Sequence, residues 1–117
     1  MANQPDNKFL IVSSRNEASL KINNWDATNS TQLPSDPLIT FKIDHKSGSL
    51  KFVQKFAAGG LVPRHFSLNK KGDLVASAAQ KDGRLAIISR DVRTGVLKEY
   101  IANIAIAGEV NCAIFAE

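Results

Sequence analysis

The sequence predicts an all-β chain of antiparallel hairpins, and three observations carry that reading. Short runs of apolar, β-branched and aromatic residues recur along the 117 residues, none longer than a strand. Between them lie Lys46-Ser47-Gly48-Ser49, Lys70-Lys71-Gly72-Asp73, Lys81-Asp82-Gly83-Arg84 and Arg93-Thr94-Gly95-Val96, each placing a glycine where a tight hairpin needs positive φ. No 3.6-residue apolar stripe is long enough to require a helix; Ala18, Leu20 and Ile22 come nearest and suit a strand or loop equally well.

The elements follow in order. Phe9 to Ser14 is a short apolar run closed by serines. Glu17 to Pro37 holds 21 residues, 12 of them Ser, Thr, Asn, Asp or Pro, and reads as a loop inserted between two strands. Its Asn29-Ser30-Thr31 fits a glycosylation acceptor, but no secretory signal is read ahead of it, so an ordinary polar loop is the expectation. Leu38 to Ile43 is β-branched and aromatic, and Leu50 to Phe56 alternates apolar with polar, as a half-buried strand does. His65–Asn69, Asp73–Ala79, Arg84–Arg90, Leu97–Ala102 and Val110–Ala116 complete the set. Gly59-Gly60 reads as a flexible link.

Composition narrows the function classes. With 44% hydrophobic and 22% charged residues, the chain is neither a disordered tail nor a membrane helix bundle; its clean apolar runs, such as Phe9-Leu10-Ile11-Val12, are far too short to span a bilayer. Cys112 is the single cysteine, which precludes an intrachain disulfide and makes a cytoplasmic location the simple expectation. In an apolar strand it reads as a small buried residue rather than a nucleophile. The net charge of +4 raises the question of nucleic acid, yet Lys70-Lys71 is the one adjacent Lys/Arg pair and eight aromatics are scattered. No nucleic-acid or membrane partner is expected.

The sequence also repeats. Ile43-Asp44-His45-Lys46-Ser47-Gly48-Ser49-Leu50-Lys51 aligns with Arg90-Asp91-Val92-Arg93-Thr94-Gly95-Val96-Leu97-Lys98, an offset of 47 positions. Asp6 to Ile11 aligns with Lys71 to Ala76 at an offset of 65, the difference being the inserted loop. A period in the forties with several strands per unit is the spacing of β-propeller blades. The expected fold is therefore an antiparallel β-propeller fragment of about two four-stranded blades, one carrying a long inserted loop. In this division residues 1–60 form a first blade lacking its inner strand, with the loop at 17–37; residues 61–109 form a complete blade; residues 110–117 supply a closing strand. Unpaired edges at both ends imply self-association.

Pro63-Arg64-His65-Phe66-Ser67-Leu68-Asn69-Lys70-Lys71-Gly72-Asp73-Leu74-Val75-Ala76 resembles a signature of the lactonase family of seven-bladed propellers, which includes propeller-type 6-phosphogluconolactonases and carboxy-muconate lactonizing enzymes. Arg84 to Asp91 with Thr94-Gly95-Val96-Leu97 resembles the later strands of the same blade, and Asp6 to Asn16, with its Ser-Ser-Arg, the preceding one. The resemblance spans nearly everything except 17–37 and corresponds to the carboxy-terminal third of a full-length member.

It implies hydrolysis or isomerisation of a sugar lactone or related acid, a small-molecule partner, and no cofactor or metal. Arg15 matches an arginine at the channel mouth that would hold a substrate carboxylate, a task that suits an always-charged bidentate guanidinium. His65, where the inner strand begins, is the other catalytic candidate; Arg64 and Gln80 are weaker substrate-binding candidates. The family's remaining site groups, a glutamate, a histidine and a second arginine, belong to blades absent here. Asp44, Asp73, Asp82 and Asp91 occupy turns, Glu99 an outer strand, and no carboxylate pair, metal-ligand cluster or nucleophile elbow is present in the sequence. The alternative is a non-catalytic fragment serving as a structural or interaction module.

Overall fold

A computed structural model describes residues 2–3, 8–14, 17–26, 28–79, 81 and 83–105, with backbone alone at 2–3 and Arg64. Among the described residues ten strands form: β1 (Ala2–Asn3), β2 (Phe9–Ser13), β3 (Leu20–Ile22), β4 (Leu33–Ser35), β5 (Pro37–Ile43), β6 (Leu50–Ala57), β7 (Pro63–Leu68), β8 (Leu74–Ala79), β9 (Arg84–Arg90) and β10 (Leu97–Ala105). They assemble into two antiparallel four-stranded sheets, ordered β1-β2-β5-β6 and β7-β8-β9-β10, and one small hairpin, β3-β4. The fold is all-β, a two-blade piece of a propeller.

Two expectations are corrected. The first sheet does have a fourth strand: β1 pairs with β2 through Ala2↔Ile11 and Asn3↔Leu10. Two residues are too few to show an alternating pattern, which is why the sequence hid them. The inserted loop is not wholly irregular either, since Leu20↔Ser35 and Ile22↔Leu33 close a hairpin inside it. The anticipated closing strand at Val110–Ala116, and Cys112 within it, lie outside the described residues.

The core lies between the sheets. Alternation on β2 buries Phe9 and Ile11 on one side, and Ile11, Leu38, Ala58, Phe66, Val75, Ile88 and Leu97 form one cluster drawn from both sheets. At the common 25 cal/mol per Å², burying each large aliphatic side chain contributes about 2 kcal/mol before entropy is charged against it. Polar groups then fix the register of one sheet on the other. The Gln54 amide donates to the Leu97 carbonyl and accepts from its N–H, both at 2.8 Å, so a side chain imitates a strand neighbour. The Tyr100 hydroxyl donates to the Ala57 carbonyl at 2.6 Å. Arg90, 3% exposed, donates to the Gly72 carbonyl at 2.8 Å and lies 5.5 Å from the Phe9 ring centroid.

Candidate functional site

Strand register places one set of strand ends at a common rim. Ser13 pairs with Leu38, Pro37 with Ala57, Pro63 with Ala79, and Ala79 and Ala105 both with Arg84. The β3-β4 hairpin and the 58–62 crossover between sheets belong to this end of the molecule. The opposite rim carries the glycine turns at Gly48, Gly72 and Gly95.

A buried carboxylate organises the candidate rim. Asp36 is 0% exposed and sits where β4 hands over to β5. Its Oδ1 accepts from the N–H groups of Glu17 and Ala18 at 2.7 and 2.6 Å, and its Oδ2 accepts from Val62 N–H at 2.8 Å. Ala18 and Val62 have φ of 46° and 54°, a left-handed conformation that costs an L-residue about 1–2 kcal/mol and is rarest for a β-branched one. Charge-assisted hydrogen bonds to a desolvated carboxylate offset that strain. One side chain thereby pins the segment following Arg15 and the segment preceding Pro63-Arg64-His65.

The crossover itself is not a flexible link. Gly59 and Gly60 are buried, and their N–H groups donate to the Ser35 hydroxyl at 3.2 and 3.1 Å. A Cβ on Gly59, where φ is 101°, would stand 2.9 Å from Cβ of Ala86. Glycine is required there for a close approach of backbone to the neighbouring sheet.

His65 is half-buried in β7, opposite Ala78, beside a register shift between Pro63 and His65. The strand is the edge strand of its sheet and approaches β1 of the other. Arg15 and Gln80 lie outside the described residues, as does the side chain of Arg64. Their neighbours are held at this rim: Ser14 N–H donates to the Pro37 carbonyl at 3.2 Å, and Lys81 N–H to the Leu61 carbonyl at 3.3 Å. Among the described residues no group of three His, Cys, Asp or Glu side chains could hold a metal ion, and no helix is long and apolar enough to cross a membrane.

Sequence reasoning missed two features of this rim. Asp36 reads as one more turn residue between Ser35 and Pro37, because its partners are 18 to 26 positions away. Trp25 reads as a stray aromatic in a polar loop, although the chain's one tryptophan in such a segment was itself a signal. Its ring meets Tyr100 edge-on at 5.2 Å, and the Arg84 guanidinium lies 5.6 Å from its centroid. Tyr100 also packs on Phe56, with 5.4 Å between centroids. Burial pushes the Tyr100 hydroxyl above its usual range, so it remains a neutral donor.

Known proteins match this architecture. The family model described as lactonase, 7-bladed beta-propeller matches residues 1–115. A curated protein named 6-phosphogluconolactonase, from Formosa agariphila, is 26% identical over 111 residues, which are 95% of this chain and 27% of that protein. A structure from Bacteroides fragilis, provisionally named 6-phosphogluconolactonase, superposes with a TM-score of 0.76 at 26% identity, over 99% of this chain and 27% of its own. The periplasmic gluconolactonase of Pseudomonas aeruginosa shares the fold, with a TM-score of 0.69 at 23% identity, over 92% and 25% of the two chains. The chain thus spans about a quarter of the length of these relatives. With two blade-like sheets, the interleaved seam and a family match over almost every residue, the chain belongs to the lactonase family of seven-bladed β-propellers.

Proposed function

We propose that this chain supplies a two-blade segment of the wall of a site that hydrolyses an acidic sugar lactone of the 6-phosphogluconolactone type. The family match over residues 1–115 carries the reading. In the proposed reaction His65 takes a proton from water as the hydroxide oxygen bonds to the lactone carbonyl carbon. The ring C–O bond then breaks, and the leaving alkoxide takes the proton from His65. Arg15 holds the carboxylate or phosphate of the substrate, with Arg64 and Gln80 as flanking polar contacts. Hydrolysis is preferred to lactonizing isomerisation because the similar proteins are named as gluconolactonases. The lone Cys112 supports a reducing, cytoplasmic setting, although one structural neighbour is named periplasmic.

A second reading is a non-catalytic propeller fragment acting as a structural or interaction module. Exposed Leu50 and Phe52 on β6, and Ile101 and Ile104 on β10, are consistent with an interaction role. Transplanting residues 1–115 into the matching segment of the Bacteroides fragilis propeller separates the two. Lactone hydrolysis above the spontaneous rate, lost in Arg15→Ala or His65→Ala, supports the enzymatic reading. A correctly folded but inert chimera rejects it.

A further inference from the structure

The β3-β4 hairpin and the outer strands enclose a cleft that does not include His65. Trp25, Ile22 and Asn24 form the wall shared by its two lobes. The larger lobe, about 430 Å³, is completed by Lys21, Gln32 and Tyr100 among others; the smaller, about 230 Å³, by Arg84 and the Gly59-Gly60 backbone. Each lobe holds one cation, and neither described lining holds a carboxylate. The volumes suit one small molecule rather than a polymer.

Several wall residues are tied to the fold by hydrogen bonds and ring contacts. Tyr100 is fixed by its bond to the Ala57 carbonyl, and it in turn holds the Trp25 ring. The Arg84 guanidinium is fixed by a 2.7 Å hydrogen bond to the Asn103 side chain. The hairpin tip is tied by side-chain-to-backbone turns, Asp26 N–H to Asn24 Oδ1 and Thr28 N–H to Asp26 Oδ1, at 2.9 and 3.0 Å. Carboxamides at Asn23, Asn24 and Gln32 offer paired donors and acceptors, the pattern that hydroxyl groups satisfy. Aromatic rings suit the apolar C–H face of a sugar, and two cations with no carboxylate in the described lining suit a negative group.

From this lining we infer a second small-molecule site, one whose described lining excludes His65, for a hydroxyl-rich sugar carrying one anionic group. The inference stands on the lining and not on the reading of His65 and Arg15.

Because Trp25 is the one tryptophan in the sequence, its fluorescence reports the cleft directly in the intact chain. Titration with gluconate and with glucose 6-phosphate should give a saturable change for at least one, and the stronger response tells carboxylate from phosphate. Glucose and inorganic phosphate should give neither. Lys21→Gln, an exposed change that leaves the fold intact, should weaken the apparent affinity about fivefold by removing a partly solvated ionic contact. His65→Ala should leave the titration unchanged, so failure of the lactonase reading and failure of this one remain distinct. An equal response to glucose, an equal response to inorganic phosphate, insensitivity to Lys21→Gln, or no saturable change overturns the proposal.

Discussion

The two copies of the Asp-x-x-x-Gly turn are nearly identical internally and differ in what surrounds them. In the first, Gly48 N–H donates to the Asp44 carbonyl at 2.7 Å and Asp44 N–H to the Ser49 carbonyl at 2.9 Å. In the second, Gly95 N–H donates to the Asp91 carbonyl at 2.8 Å and Asp91 N–H to the Val96 carbonyl at 2.9 Å. Each aspartate also caps its own turn, accepting from the N–H of Lys46 or Arg93 at 2.9 Å. The glycine φ values are 73° and 76°. Yet a Cβ on Gly48 would meet nothing within 4 Å, whereas one on Gly95 would stand 2.6 Å from the Phe9 ring. The repeat encodes a turn; position in the array decides whether that turn faces solvent or closes the seam between blades.

If the seam is what separates the copies, its most densely bonded residue should show the largest effect. Asp36→Ala strands three amides and releases two left-handed residues, and should destabilise the chain by about 4 kcal/mol in urea titration. Gly95→Ala comes next, at about 3 kcal/mol, from the strained φ plus a clash with a ring that is itself buried and held under Arg90. Gln54→Ala, which removes both cross-seam hydrogen bonds to Leu97, should cost about 2 kcal/mol. Gly48→Ala isolates the conformational term alone and should cost about 1 kcal/mol. Equal losses for Gly48→Ala and Gly95→Ala would break the comparison.

The smallest effect concerns acid. The N–H of Lys46, then the Ser47 side chain, holds Asp44 below the usual carboxylate range; the N–H of Arg93, then that of Thr94, does the same for Asp91. A folded pKa below the unfolded one means stability that is present at neutral pH and lost as pH falls through the folded value. Asp44 is exposed and Asp91 partly so, and Asp44→Asn and Asp91→Asn should flatten the acid limb of the pH–stability curve slightly and to the same extent. A clearly larger change for Asp91→Asn would show that the seam reaches the capping carboxylate as well.

How much was legible beforehand follows from the range of the interactions. The strand from Arg84 to Arg90 was readable to the residue because its pattern and its flanking glycine turns are local. So was the start of β10 at Leu97, although that strand runs on to Ala105. The β3-β4 hairpin escaped because three-residue strands carry no period, and its base is held by Asp36 and Ser35 rather than by its own sequence. Of the site candidates, His65 is expected where the inner strand begins, and the structure puts it at the third position of β7, half-buried. The Trp25 cleft was invisible because its lining comes from the 21–34 hairpin, residues 56–60, Arg84 and Tyr100, which meet only after folding.

By itself, then, the sequence determined the all-β class, the turn at each repeat and the family, since these rest on alternation, positive-φ glycines and short motifs within a few residues of one another. The tertiary structure decided that Gly59-Gly60 is a buried contact rather than a hinge, that Gly95 and not Gly48 touches the neighbouring sheet, and that Asp36 carries the strain of Ala18 and Val62. Those outcomes depend on close approach between segments 18 or more positions apart, and no local propensity can specify which atoms will meet there.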